Sequence, residues 1–283
     1  LLLGLPLFQI AERYRAQQLL GANFQVTPQP EPLRTVMRIA ANAGVRGGYA
    51  GYWEAYEINF LGLAERTHPG KMTFASRKIW DRHPEDLEVA AKLPSEAYLF
   101  DASLASISPE VAIFRRRLES ARRPARTWQI GPYVLFTSAT GGRLLPPPIS
   151  AAPPRLSTPR AELSLTAPPP TVAAPNAELV LNLRTRNDSD TYWSAEGAPN
   201  LDLRTAVGTR WLDLDGNLVQ NDGGRSPLPW DLRPGESTTL RAWTTAPAAP
   251  GRYLLQITMI QENVAWFADL GGGEVRLPVE VRP

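Results

Sequence analysis

The sequence predicts a multidomain chain, with an α/β Rossmann-like N-terminal domain and an all-β immunoglobulin-like sandwich as the C-terminal domain. Three observations predict it. Before residue 142 apolar residues recur at helical spacing, interrupted by short apolar runs that read as strands. After residue 176 the period switches to two, the mark of half-buried strands. Between them, ten of the chain's 28 prolines crowd into the stretch from Pro146 to Pro175. Such a cluster cannot donate ladder hydrogen bonds and favours an extended path. The expected organisation is therefore residues 1–20 as the end of a membrane helix or a leading helix, 21–142 as the α/β domain, 143–175 as a linker and 176–283 as the sandwich.

The leading run Leu1-Leu2-Leu3-Gly4-Leu5-Pro6-Leu7-Phe8 continues only to Ile10, with Glu12, Arg13 and Arg15 following. About 20 apolar residues are needed to span a bilayer, and a secretory leader would carry its charges before the run. The expectation is the tail of a membrane helix that begins upstream, with an ordinary amphipathic helix as the alternative. Leu33, Val36, Met37 and Ala40 then mark one helix face behind Pro32, and Gly44 marks the stop. A short strand around Gly47 to Tyr49 leads into a helix carrying Trp53, Phe60, Leu61 and Ala64. Lys71 to Ala75 reads as a weak strand.

His83-Pro84-Glu85-Asp86 opens the next helix with acids near its positive end, and Leu87, Ala90 and Ala91 form its inner face. Ala97 to Phe100 is a strand. Ser108-Pro109-Glu110 looks like a capped start for a helix with Val111, Phe114, Leu118 and Ala121 on one side and Arg115, Arg116 and Arg117 within it. Arg126 to Ile130 and Tyr133 to Ser138 close the domain around the turn Gly131-Pro132.

Within the linker, Ala161 to Thr166 is a candidate first sandwich strand. Beyond it Leu179, Leu181, Leu183 and Thr185 alternate with polar residues, and Leu203 to Asp213, Thr238 to Thr245, Tyr253 to Ile260 and Glu274 to Val281 read similarly. Asn187-Asp188-Ser189, Asp215-Gly216-Asn217, Pro234-Gly235 and Pro250-Gly251 supply the turns.

Composition narrows the function classes. Hydrophobic content of 43% and charged content of 20% are globular values. The net charge is +2 and no long basic block occurs, so nucleic acid is not the expected partner. With no cysteine there are no disulfides and no thiolate zinc site. No nucleophile elbow, zinc-protease helix or Walker loop is present, no catalytic residue is assigned, and no metal or cofactor is expected. Gly44, Gly47, Gly48 and Gly51 lack the dinucleotide spacing, and tight packing explains them better than phosphate binding. His68, Asp81 and His83 read as loop residues rather than ligands. Glu54 and Glu57 share a helix side and read first as surface charge.

Aromatic residues carry the ligand-binding candidates. Tyr52, Trp53 and Tyr56, beside Glu57, serve either core packing, the simpler reading, or stacking on a sugar face. In the sandwich Trp193, Trp211, Trp230, Trp243 and Trp266 suggest a glycan platform, although Trp211 or Trp266 equally suits the buried core position of such folds. Arg225 and Glu262 are candidate partners in a fixed polar contact. Tyr253 suits a tyrosine-corner role, and the sequon at Asn187 is explained by a turn.

Tyr49-Ala50-Gly51-Tyr52-Trp53-Glu54-Ala55-Tyr56-Glu57-Ile58-Asn59-Phe60-Leu61 resembles the C-terminal soluble region of bacterial polytopic membrane glycosyltransferases of the GT-C superfold, the class of the protein mannosyltransferases. The second half is similar to a β-sandwich module appended to such enzymes, through Trp211-Leu212-Asp213, residues 224–229, 231–236 and 249–253, and Gln261-Glu262-Asn263-Val264-Ala265-Trp266-Phe267. The resemblance implies an extracytoplasmic, periplasmic or extracellular location at the cell membrane and attachment through a missing N-terminal part. It implies a glycan or lipid-linked sugar as partner. The family's catalytic acid lies in an early loop outside this chain, so the implied role is non-catalytic: positioning a glycan or protein acceptor, or stabilising the membrane part. The alternatives are an independent carbohydrate-binding or adhesion-type module pair and a soluble sugar-transferring enzyme.

Overall fold

A computed structural model describes residues 30–64, 72–76, 84–104, 109–149, 151–198 and 202–283. The leading apolar run, His68, Asp81 and His83 lie outside the described residues. The chain divides into two compact units, residues 1–104 with 126–143, and residues 105–125 with 144–283.

The first unit is built on a five-stranded sheet. Helix α1 (Pro30–Asn42) precedes β1 (Gly47–Ala50). Helix α2 (Tyr52–Ala64) leads to β2 (Thr73–Ser76), and α3 (Pro84–Lys92) to β3 (Ala97–Asp101). β4 (Ala125–Ile130) and β5 (Tyr133–Ser138) follow, giving the order β2-β1-β3-β5-β4. β1 runs parallel to β2 and β3, whereas β5 runs antiparallel to β3.

The α1 stripe Leu33, Val36, Met37 and Ala40 is buried as its spacing predicts, against Ala55, Ile58 and Leu61 of α2 and the sheet residues Phe74, Leu99 and Leu135. Gly44 closes α1 at φ 75°, a left-handed position that suits glycine. Any side chain at Gly47 or Gly48 would strike the backbone of Thr73 or Ala97, so these glycines exist for close strand packing. Arg143 anchors α3 to this unit. Its guanidinium donates to the carbonyls of Ala90, Ala91 and Leu93, at 3.3, 3.2 and 2.8 Å, and its Nε lies 3.4 Å from the buried Glu96 carboxylate.

In the second unit, α4 (Glu110–Ser120) and the proline-rich stretch join the C-terminal strands. β6 (Ala161–Leu165) pairs with β8 (Glu178–Asn187), and β8 with β11 (Ser237–Thr245), forming a three-stranded sheet. The larger sheet has six strands. Its path is β10 (Leu218–Pro227), β9 (Thr205–Leu212), β12 (Gly251–Gln261), β14 (Glu274–Val281) and β7 (Val172–Ala173), with β13 (Ala265–Trp266) paired to β12. Leu181, Leu183 and Leu240 of the smaller sheet share one core with Trp211, Ile257, Met259 and Val279 of the larger.

This corrects the expected fold class. The chain is mostly β, 40% strand against 21% helix in several sheets, rather than a Rossmann-like α/β domain followed by an immunoglobulin-like one. Only three strands of the first sheet are mutually parallel, and β4 and β5 meet at the turn Gly131-Pro132 instead of through a helical crossover. The α4 helix, assigned by its spacing to the first half, packs with the second. In the stretch expected as a linker, Ile149, Ala151, Leu156 and Arg160 are hydrogen-bonded to later residues, and β6 and β7 pair into the sheets. Alternation identifies half-buried strands but leaves their neighbours and sheet order open.

Candidate functional site

Helix α2 starts at the carboxyl end of β1, with Gly51 as the residue before it. The carbonyl of Gly51 accepts the first helical bond from the Ala55 N–H, 3.0 Å. Glu54, in the third helical position, folds back so that its carboxylate fills the space a side chain at Gly51 would take. A carboxylate placed there complements the helix's own positive end, which disfavours a phosphate.

Beyond this cap stands an aromatic ledge. Tyr52 meets Trp53 edge-on at 5.0 Å between ring centres and Tyr56 at 4.7 Å. Trp53 is 44% exposed, while Tyr52, Tyr56 and Glu57 are half-buried. The simpler expectation of core packing therefore fails at Trp53, because the buried stripe of α2 is Ala55, Ile58 and Leu61.

Asn59, a residue without a candidate role in the sequence analysis, holds this helix in place. Its Oδ1 accepts the Phe74 N–H at 2.7 Å, and its Nδ2 donates to the Phe74 carbonyl and to Asp86 Oδ2, both at 2.9 Å. One carboxamide thus imitates a neighbouring strand along β2 and locks the rotation of α2. No local pattern announces this, since Phe74 and Asp86 are 15 and 27 residues away.

The tryptophans of the second unit do not form a platform. Trp193 and Trp211 are fully buried, with their indole N–H groups donating to Ser189 Oγ at 3.1 Å and the Thr245 carbonyl at 2.8 Å. As ligand-binding candidates they are corrected to core residues. Trp230 packs on the same core. Trp243 lies under the Arg116 guanidinium, 4.3 Å away.

Trp266, Arg225 and Glu262 do come together. The guanidiniums of Arg210 and Arg225 lie over the Trp266 ring at 3.9 and 4.3 Å. Arg225 Nε is 3.7 Å from Glu262 Oε1, which also receives Arg204 Nη2 at 3.0 Å. Arg210 forms a two-pronged pair with Asp269, at 2.6 and 2.9 Å. Trp266 is only 9% exposed, so the two guanidiniums cover it and leave little ring surface for a ligand, while Arg204 Nε and Arg210 Nε are buried without a hydrogen-bond partner.

Two further residues have structural roles. Tyr253 donates its hydroxyl to the Ala249 carbonyl, 2.9 Å, as a tyrosine corner does. Asn187 is buried, and its Nδ2 donates to the carbonyls of Thr191 and Leu232 at 2.9 and 2.8 Å, so the sequon marks a turn. No group of three or more potential metal ligands gathers among the described residues. No described helix is long and apolar enough to cross a membrane.

No family model matches the chain, and no curated protein does. Among solved structures it is similar to a β-glucosidase from Listeria innocua in complex with gluconolactone, at 15% identity and TM-score 0.29, over 44% of this chain and 16% of that one. The CARDB domain of PF1109 from Pyrococcus furiosus matches at 16% identity and TM-score 0.27, over 46% of this chain and 93% of that one. A family 123 glycoside hydrolase from Clostridium perfringens matches at 10% identity and TM-score 0.27, over 44% and 27%. The chain thus spans a minor share of the two hydrolases, and likeness at this level carries no argument about function.

Proposed function

We propose that this chain is a non-catalytic, extracytoplasmic part of a membrane glycosyltransferase-like protein, and that the α2 ledge holds a glycan acceptor. The carrying observation is Trp53, an exposed indole backed edge-on by Tyr52 and set on a helix that Asn59 holds in register. An indole exposed to this degree suits the apolar face of a pyranose, with the half-buried Glu57 one turn along the same helix. The same thirteen residues, from Tyr49 to Leu61, carry the resemblance to the GT-C enzymes. That resemblance supports the membrane attachment and the location, with a lipid-linked sugar as the other partner of the whole protein.

The test is titration of the intact chain with a panel of neutral manno- and gluco-oligosaccharides, followed by tryptophan fluorescence and ligand-observed NMR. Saturable binding that Trp53→Ala weakens by about tenfold or more is expected, the size of one aromatic anchor. Binding that Trp53→Ala leaves unchanged, or no binding across the panel, removes the acceptor role. An independent carbohydrate-binding module would bind through its own sandwich tryptophans, and the burial of Trp193 and Trp211 weighs against that alternative.

A further inference from the structure

Arginines gather in the second unit, where α4 ends against the three-stranded sheet. Register places Ser164, Arg184 and Thr239 in one row across β6, β8 and β11, and Asn182 and Arg241 in the next. Arg184, Thr239 and Arg241 are exposed. Ser120 Oγ donates to the Arg241 carbonyl at 3.2 Å, which brings the end of α4 to this face, and the exposed Arg122 and Arg123 follow directly.

Neighbouring charges are paired. Arg186 lies 3.3 Å from Asp188 and 3.9 Å from Glu162, and Arg116 lies 3.2 Å from Glu178. Arg184 reaches only Ser237 Oγ, at 3.5 Å. Among the described residues no carboxylate forms an ion pair with Arg122, Arg123, Arg184 or Arg241. Arg184 and Arg241 are thus like charges without an ion pair in adjacent rows of the sheet, and Arg122 and Arg123 follow the helix end that Ser120 ties to β11.

We propose that this face binds an acidic polysaccharide, with uronate carboxylates meeting Arg184 and Arg241 and with Arg122 and Arg123 extending the track. All four cations are arginines, whose planar fork matches a carboxylate in two-pronged fashion where a lysine would act as a point charge. Arg184 and Arg241 sit diagonally on adjacent strands, a fixed spacing of roughly 7–8 Å between diagonal neighbours, which suits a polymer of repeating charge. Ser164, Asn182 and Thr239 add neutral partners for sugar hydroxyls. A bilayer is disfavoured because the exposed large apolar residues of this unit, Val172, Leu214, Leu218, Val219 and Leu270, lie outside these rows. Nucleic acid is disfavoured because, among the described residues of these strands, the ring on this face is Trp243, which already carries Arg116.

The experiment titrates the full chain with polygalacturonate at several salt concentrations, beside neutral dextran, single-stranded DNA and phosphatidylglycerol vesicles. Polygalacturonate should bind saturably and more weakly as salt rises. The double change Arg184→Ala with Arg241→Ala should lower affinity by about tenfold or more, and Arg184→Lys with Arg241→Lys should lower it less. Should the alanine pair fail to fold, the lysine pair decides, and it must bind more weakly than the parent. Variants that bind like the parent, equal binding of dextran, or tighter binding of DNA or vesicles each overturn the proposal. Loss of Trp53 affects only the neutral-glycan titration, so the two readings fail separately.

Discussion

Gly208 has no side chain, and the indole of Trp266 uses the vacated space. A Cβ at Gly208 would lie 2.5 Å from Trp266 Cζ3 and 3.0 Å from Cη2. In register Gly208 pairs with Arg225, and Arg210 is two residues along the same strand, so the ring settles over the glycine and between its guanidinium neighbours. Gly208→Val would have to lift the ring off the sheet. The expected cost is about 1 to 3 kcal/mol of stability, read as a lower urea midpoint with an unchanged slope, because overpacking displaces a side chain that has no alternative seat. Indole emission should move to the red as Trp266 gains water. A variant as stable as the parent would show that Trp266 has another seat. Sequence reading singled out Arg225, Glu262 and Trp266 and expected a fixed polar contact between the first two. It could not anticipate Gly208 or Arg210, because what joins them is sheet register rather than spacing along the chain.

Among the elements, the proline-rich stretch departs furthest from what composition implies. Prolines bring no N–H, and side chains of the later strands and loops satisfy three of the amides between them. The Ile149 N–H donates to Asp231 Oδ2 at 2.8 Å, the Leu156 N–H to Gln261 Oε1 at 2.9 Å, and the Arg160 N–H to Ser189 Oγ at 2.9 Å. Tyr192 donates its hydroxyl to the Ala151 carbonyl at 2.7 Å. Burial pushes the Tyr192 phenol up to about 12 from its ordinary 10.0, and the Asp231 charge adds to the shift. A group whose pKa is raised by folding stabilises the fold below its unfolded value and loses that contribution as pH rises through the folded one. Stability should therefore fall between pH 10 and about 12, as followed by denaturant midpoints across that range. Tyr192→Phe, which cannot ionise, should flatten that step while lowering stability at neutral pH through the lost hydrogen bond. An unaltered alkaline step in that variant would assign it to another group. Asp231 is also raised, by burial first, against the lowering effect of the Ile149 and Ala195 N–H groups. Periodicity made α1, β3, β5 and β8 legible, since each signal is local. The stretch before β6 was not legible, because Asp231 and Gln261 lie 82 and 105 residues from the amides they satisfy.

For the whole molecule, the chain leaves the first unit after residue 104, returns at 126 and leaves again after 143, so α4 is an excursion into the second unit. An amphipathic stripe reports that one face of a helix is buried but not what buries it, which is why spacing placed α4 with its sequence neighbours. Arg117 settles the membership. Its side chain is 8% exposed, its Nε donates to the Pro229 carbonyl at 3.1 Å, and its Nη1 lies 2.6 Å from Glu196 Oε1. Beside it, Arg116 spans to Trp243 and Glu178. Removing Arg117 strands Glu196, a carboxylate still 23% exposed, so the expected loss is about 2 to 3 kcal/mol, below that of a fully buried pair. Arg117→Ala should therefore lower the stability of the second unit as a body. Hydrogen exchange is the direct readout: amides of α4 and β11 should lose protection together, while those of β1 and β3 keep theirs. If α4 frays alone with β11 unchanged, the helix is only appended to the sandwich. If β1 and β3 lose protection first, α4 belongs energetically to the first unit, and the division of the chain at residues 104 and 126 is not the one that governs its folding.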